Sequence, residues 1–77
     1  MYTVNDTSYN GFANWDTWTA CAWLENDEYA YRILRGAWSI SRFADIGQNI
    51  LEETGNPDGI EYENVDWEEI WEVFAEE

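Results

Sequence analysis

The chain of 77 residues contains no lysine and no histidine, and its only three cations, Arg32, Arg35 and Arg42, stand against 17 carboxylates. The formal net charge is −14 and the sequence pI about 4.1. Binding to DNA, RNA or an anionic membrane rests on Lys and Arg contacts to phosphate, so this composition argues against all three and points to basic partners. A single cysteine, Cys21, allows no internal disulfide, and without histidine it leaves no zinc constellation. No apolar run approaches the roughly 20 residues of a membrane span. The opening MYTVNDTSYN has neither the basic nor the apolar region of a secretory signal. A soluble, cytoplasmic protein with no metal and no cofactor is expected.

Aromatic residues, in contrast, are abundant: six Trp, five Tyr and three Phe. A chain this short buries only about 60% of its unfolded surface, so large side chains must supply the core. Each aromatic can bury ~150–250 Å². With 45% hydrophobic residues, a single folded domain over residues 1–77 is expected despite the charge.

The spacing along the chain predicts a mainly α fold, a compact bundle of three to four short helices with at most a minimal two-stranded β element. Asn10-Gly11 reads as a turn. Asn14 can cap a first helix that ends near Asn26, with Trp15, Trp18, Ala22 and Trp23 at helical spacing and Asp16 favoured in its first turn. A second helix is predicted from Asp27 to Trp38, with Ala30, Ile33, Leu34, Ala37 and Trp38 inward and Glu28 placed to pair with Arg32. Arg35 and Arg42 are expected to pair with Asp45 or with the acidic end. Ser39 or Ser41 caps a third helix with Phe43, Ile46, Ile50 and Leu51 on one stripe, where Gly47 would let another helix approach. Gly55-Asn56-Pro57-Asp58-Gly59 is the clearest break. A brief strand at Ile60–Tyr62 could pair with Tyr2–Val4.

The last stretch carries the charge. Glu52, Glu53, Asp58, Glu61, Glu63, Asp66, Glu68, Glu69, Glu72, Glu76 and Glu77 follow one another without a single Lys or Arg, whereas the residues before them hold Asp6, Asp16, Glu25, Asp27, Glu28, Asp45 and all three Arg. Val65 to Glu77 reads as an amphipathic helix. Asp66 can cap it, Glu69 can return the bond as capping-box partner, and Val65 can staple onto Ile70. Trp67, Ile70, Trp71 and Phe74 form one apolar stripe. Glu68, Glu72 and Glu76 form a row on another face, about 6 Å apart along the axis. Such a row destabilises a helix by roughly 0.2–0.5 kcal/mol per like-charged pair, and Glu76 and Glu77 also sit at the disfavoured end of the macrodipole. Stability alone would not choose this arrangement.

No catalytic constellation accompanies it, because no nucleophile motif, phosphate loop or metal set is present, and an enzyme is not expected. Asp58, Glu61, Glu63 and Asp66 lack the order of an EF-hand loop. Asn14, Trp15, Thr17 and Trp18 read as a cap with core aromatics, and Asn26-Asp27-Glu28 as a cap with first-turn acids. The candidate site is therefore an acidic partner-binding surface formed by Glu52, Glu53, Asp58, Glu61, Glu63, Asp66, Glu68, Glu69, Glu72 and Glu76, with Tyr62 or Trp67 as a potential aromatic anchor.

Three segments also carry a resemblance. Asn10-Gly-Phe-Ala-Asn-Trp-Asp-Thr-Trp, then Trp23-Leu-Glu-Asn-Asp-Glu-Tyr29, then Val65-Asp-Trp-Glu-Glu-Ile70 resemble in order the motifs of a family of small uncharacterised proteins from phages, plasmids and other mobile elements. The resemblance implies a mobile-element gene and no mechanism. Joined to the acidic surface, it leads to the expectation of an inhibitor of host defence, an anti-CRISPR that mimics nucleic acid and occupies the basic DNA or PAM channel of a CRISPR effector. An antirestriction DNA mimic is the alternative within that class. The alternative outside it is a non-mimic acidic interaction or structural protein of a phage or halophile. Whether the chain acts as a monomer or a dimer stays open at this point.

Overall fold

The computed structural model describes residues 9–76. It shows four α-helices: α1, Trp15–Asn26; α2, Glu28–Arg35; α3, Ile40–Glu53; and α4, Trp67–Glu76. Each helix packs against the other three. The core runs through Ala20, Cys21, Leu24, Ala30, Leu34, Phe43, Leu51, Ile60, Val65, Ile70 and Phe74.

Capping residues set the helix starts. Asn14 and Ser39, both in extended backbone, accept from Thr17 N and Arg42 N, and Asp27 accepts from Tyr29 N and Ala30 N. Each thereby satisfies donors that a helix cannot satisfy itself. α3 ends in a Schellman motif: Gly55 N donates to Glu52 O at 3.1 Å, Asn56 N donates to Leu51 O at 2.9 Å, and Gly55 takes φ +98°. The turn beyond it is left-handed at Asn56, Asp58 and Gly59 as well.

Four expectations are corrected. α2 stops at Arg35, three residues short of Trp38. Gly36 and Ala37 close the last turn onto Ile33 and Leu34, and Ser39 must be extended to cap α3, so the chain has to leave the helix between them. Trp38 is consequently 79% exposed and not inward-facing. The inner face of α1 is Thr17, Ala20, Cys21 and Leu24, whereas Trp15 and Trp23 are about 40% exposed. The face that α1 turns to the other helices is thus built of small and slender side chains, and Trp15 and Trp23 stand at its boundary, where the Trp23 indole N–H donates to Asp58 Oδ2. Ile60–Tyr62 is not a strand. Glu61 N donates to Asp16 Oδ1 at 3.1 Å, and Tyr62–Asn64 forms a 3-10 turn. Tyr2–Val4, its expected partner, lies outside the described residues. Among the described residues the antiparallel pairing joins Tyr9 and Phe12, which exchange two backbone bonds across Asn10 and Gly11, both at positive φ. That is the signature of a tight primed turn. The fourth correction, the capping box of α4, belongs with the site.

Gly47 is buried, and a Cβ there would lie 2.6 Å from Cζ3 of Trp67. The close approach expected at this glycine is made by the indole that α4 lays across α3. Around it Phe43 forms edge-on contacts with Trp67, Trp71 and Phe74 at centroid distances of 6.4, 5.4 and 5.3 Å. These contacts hold the inner face of α4 against α3.

Candidate acidic partner-binding surface

α4 presents its charge because its opposite side is committed. Ile70 and Phe74 are 0% and 2% exposed, Val65 is buried ahead of the helix, and Trp67 and Trp71 are half-buried. A helix fixed along one stripe cannot turn, so Glu68, Glu72 and Glu76 point to solvent, and all three are exposed. Their carboxylates form no hydrogen bond or ion pair with the described residues, and neither do those of the exposed Glu53 and Glu63.

The other carboxylates of the predicted surface are engaged to different degrees. Asp66 Oδ1 accepts from Glu69 N at 3.3 Å, as an N-cap should. Glu69 does not return the bond. Its Oε1 accepts from Ala13 N at 2.8 Å, while Asp66 N donates to Thr17 Oγ1 at 2.9 Å. Thr17 Oγ1 in turn donates to Asn14 Oδ1, and Asn14 Nδ2 donates to Asn64 O, both at 2.8 Å. The capping box is opened and its groups are spent on a seam between the starts of α1 and α4. The reason is burial: Thr17 is fully buried, and its hydroxyl needs both an acceptor and a donor there. Glu69, only half-exposed, is thus chiefly a fold-holding residue.

Asp16 joins the surface unforeseen. Its carboxylate accepts from Glu61 N and from Asn64 Nδ2, which also donates to Glu61 Oε1 at 3.1 Å. Asp16 and Glu61 are thereby held close together. The starts of α1 and α4 meet at this end of the bundle, and their positive macrodipole ends offset part of the repulsion among Asp16, Asp66, Glu68 and Glu69. The contact between Asp16 and the 61–64 turn spans 45 residues, and no spacing rule could have found it.

Asp58, left-handed at φ +62°, accepts from the Trp23 indole N–H at 2.9 Å. Glu52 takes a bond from Gln48 at 3.3 Å and acts electrostatically on Tyr62. Burial first, and the Glu52 charge second, hold the Tyr62 hydroxyl above the usual tyrosine pKa. That hydroxyl is buried without a hydrogen-bond partner among the described residues. Glu77 lies outside the described residues. Of the cations, Arg32 forms the expected pair with Glu28, at 3.3 Å and well exposed; such a pair contributes little. Arg35 reaches the Tyr31 hydroxyl at 2.9 Å and not a carboxylate.

Exposed with no side-chain partner among the described residues are therefore Glu53, Glu63, Glu68, Glu72 and Glu76, whereas the carboxylates of Glu52, Asp58, Glu61 and Asp66 are each tethered by a hydrogen bond. Among the described residues no group of three or more carboxylate or cysteine side chains could hold a metal ion, and no helix is long and apolar enough to cross a membrane.

The fold and surface define a small helical protein with an anionic face. No family model, curated protein or solved structure matches the chain. The motif resemblance therefore rests on its residues alone. Those residues have structural work in this fold: Asn14, Thr17, Asp66 and Glu69 build the seam, and Asp27 caps α2.

Proposed function

We propose that this protein is a non-enzymatic inhibitor of host defence that occupies a basic nucleic-acid-binding surface, acting as an anti-CRISPR on the DNA-binding channel of an effector complex. The observation that carries the reading is the unpaired row Glu68, Glu72 and Glu76 on a helix whose opposite stripe is locked in the core. Carboxylates about 6 Å apart along a helix form a line of charge, to be compared with one phosphate per 3.4 Å per strand along duplex DNA. A Lys/Arg-lined groove that holds one can hold the other. The like charges that destabilise the free helix are compensated when the partner's cations arrive, so binding relieves a strain the fold sustains by itself. The motif resemblance to mobile-element proteins supplies the reason such a target would be met.

The test is competition: guide-loaded CRISPR effector, labelled target DNA, and this protein titrated in at two salt concentrations. Displacement of DNA that weakens as salt rises is the expected result. Displacement from restriction enzymes and not from CRISPR effectors would move the target to restriction. No displacement from any of them would overturn mimicry and leave an acidic interaction or structural protein.

A further inference from the structure

At the end of α1 away from the seam, an open groove of about 350 Å³ lies between α1, the start of α2 and the last turns of α3. Leu24, Ile50 and Leu51 give it an apolar lining, and Leu24 and Leu51 are 0% and 2% exposed. Trp23 forms a further wall. Its indole is 41% exposed and its N–H is held by Asp58 Oδ2 at 2.9 Å, so the ring is already oriented. Asp27 and Glu28, both exposed, complete the acidic side, and no cation stands in the lining.

Three features set the sign of this groove. The first is its pair of carboxylates. Asp27 Oδ1 caps α2 by accepting from Tyr29 N and Ala30 N, which leaves Oδ2 without a partner among the described residues. Glu28 is shared with Arg32 only in an exposed pair that contributes little. The second is the end of α1. Gly36 and Ala37 close the last turn of α2, and Gly55 and Asn56 that of α3, but the chain leaves α1 through an extended Asp27 (φ −99°, ψ 109°), and the last turn of α1 holds no basic residue. A cation is favoured at such a negative macrodipole end. The positive start of α2 opposes this at the same corner, but it is met by the Asp27 cap and by Glu28 in the first turn. The third is the indole face, which attracts a cation within about 6 Å of its centroid.

An apolar stem that ends in a cation suits all three, and that is the build of arginine and lysine side chains. Arginine suits them better. Its guanidinium is planar, stacks on an aromatic face and offers a fork of donors to carboxylates, whereas an ammonium is a compact, strongly hydrated point charge. We propose that the groove receives an arginine side chain of a basic partner protein, its methylenes over Leu24, Ile50 and Leu51, its guanidinium stacked on Trp23 and turned to Asp27 and Glu28. The groove shares no residue with the row Glu68, Glu72 and Glu76, so this site lies beyond the line of charge on α4 and does not rest on its reading as a nucleic-acid mimic.

The test is a titration of the isotope-labelled full chain with N-acetyl-arginine amide, an arginine without terminal charges, followed in proton–nitrogen correlation spectra at about 0.15 M NaCl. Saturable shifts are expected at the Trp23 indole signal and at the amides of Asn26, Asp27, Glu28 and Thr54. N-acetyl-lysine amide should bind about threefold more weakly, and the uncharged N-acetyl-citrulline amide should leave the signals in place. Trp23→Ala should weaken arginine binding about fivefold, the scale of one cation–π contact. Asp27→Asn combined with Glu28→Gln should weaken it about as much and keep the α2 cap, since asparagine caps as well as aspartate; this variant decides the question where Trp23→Ala fails to fold. No saturable shift in the groove, equal binding of the citrulline or lysine compound, free arginine binding more tightly than the capped form, or a double variant that binds as well as the wild type would each overturn the proposal. No DNA or defence protein enters this experiment, so its failure leaves the competition test untouched, and failure of that competition leaves this site standing.

Discussion

Glu69 and Glu72 lie three residues apart on α4, yet Glu69 is half-exposed and bonded to Ala13 N, whereas Glu72 meets only solvent. The same side chain serves as a tie at the α1 seam and as an unspent charge on the outer face. The difference is one of surroundings and not of residue type. At the seam each polar group is enclosed and must find a partner, so Thr17, Asn14, Asp66 and Glu69 divide donors and acceptors among themselves. On the outer face water satisfies everything, and sequence choice there is free to serve something other than folding. Counting carboxylates therefore overstates the surface. Their availability, read from what each already bonds, is the better guide to a partner.

The two faces respond to different perturbations. The largest separation should come from reversing Glu68, Glu72 and Glu76 together to Lys. If the outer face binds, competition with DNA should weaken by roughly 100-fold, on the scale of charge complementarity at interfaces, while the thermal midpoint moves by only a few degrees. Unaltered competition would assign the face to solubility. At the seam, Thr17→Val removes the acceptor of Asp66 N and the donor to Asn14, and should cost about 1–3 kcal/mol in chemical denaturation. A loss below the error of that measurement would show that water replaces the hydroxyl.

The paired variants Glu69→Gln and Glu72→Gln sharpen the comparison within one helix. The first loses a charge-assisted bond and should destabilise by about 1 kcal/mol. The second removes a repulsive neighbour and should be neutral or stabilising by a few tenths of a kcal/mol. Equal effects would erase the distinction drawn between the two carboxylates.

The smallest effect is alkaline. The Tyr62 pKa is raised in the fold, so its neutral form is favoured there. The stability this contributes is complete below the unfolded value near 10 and is lost as pH rises through the higher folded value. Tyr62→Phe should therefore lose less stability than the wild type between about pH 9 and 11, and near pH 7 it should be neutral or slightly stabilising because it deletes a buried unpartnered hydroxyl. Parallel pH curves for the two proteins would overturn the assignment.

Much of the secondary structure was legible because its signals are local. Asn14, Ser39, Asp66 and Gly55 each declare a helix end through bonds within four residues of themselves. The stripe Ile70, Trp71 and Phe74 and the row Glu68, Glu72 and Glu76 follow from a period of 3.6. The outward face of α4 was equally readable, since it is the complement of the stripe. Less legible were Trp15, Trp23 and Trp38. Apolar character suggests burial, but which side of α1 meets the other helices is settled by contacts far away in sequence, and Trp38 falls where the chain must turn between Gly36 and Ser39. Glu69 was misassigned because the capping box is a rule about one helix, and here a second helix start competed for the same groups and won.

Composition and periodicity alone determined that this chain is a helical domain of high negative charge with one face of α4 turned inward, because helix caps, helical spacing and net charge are properties of neighbouring residues and of sums. The tertiary structure alone decided which carboxylates remain available, that Asp16 joins Glu61, and that Trp23 and Asp27 share a groove with Leu51. These depend on contacts between segments tens of residues apart, where the outcome is set by which polar groups are enclosed together and how much room the converging helices leave.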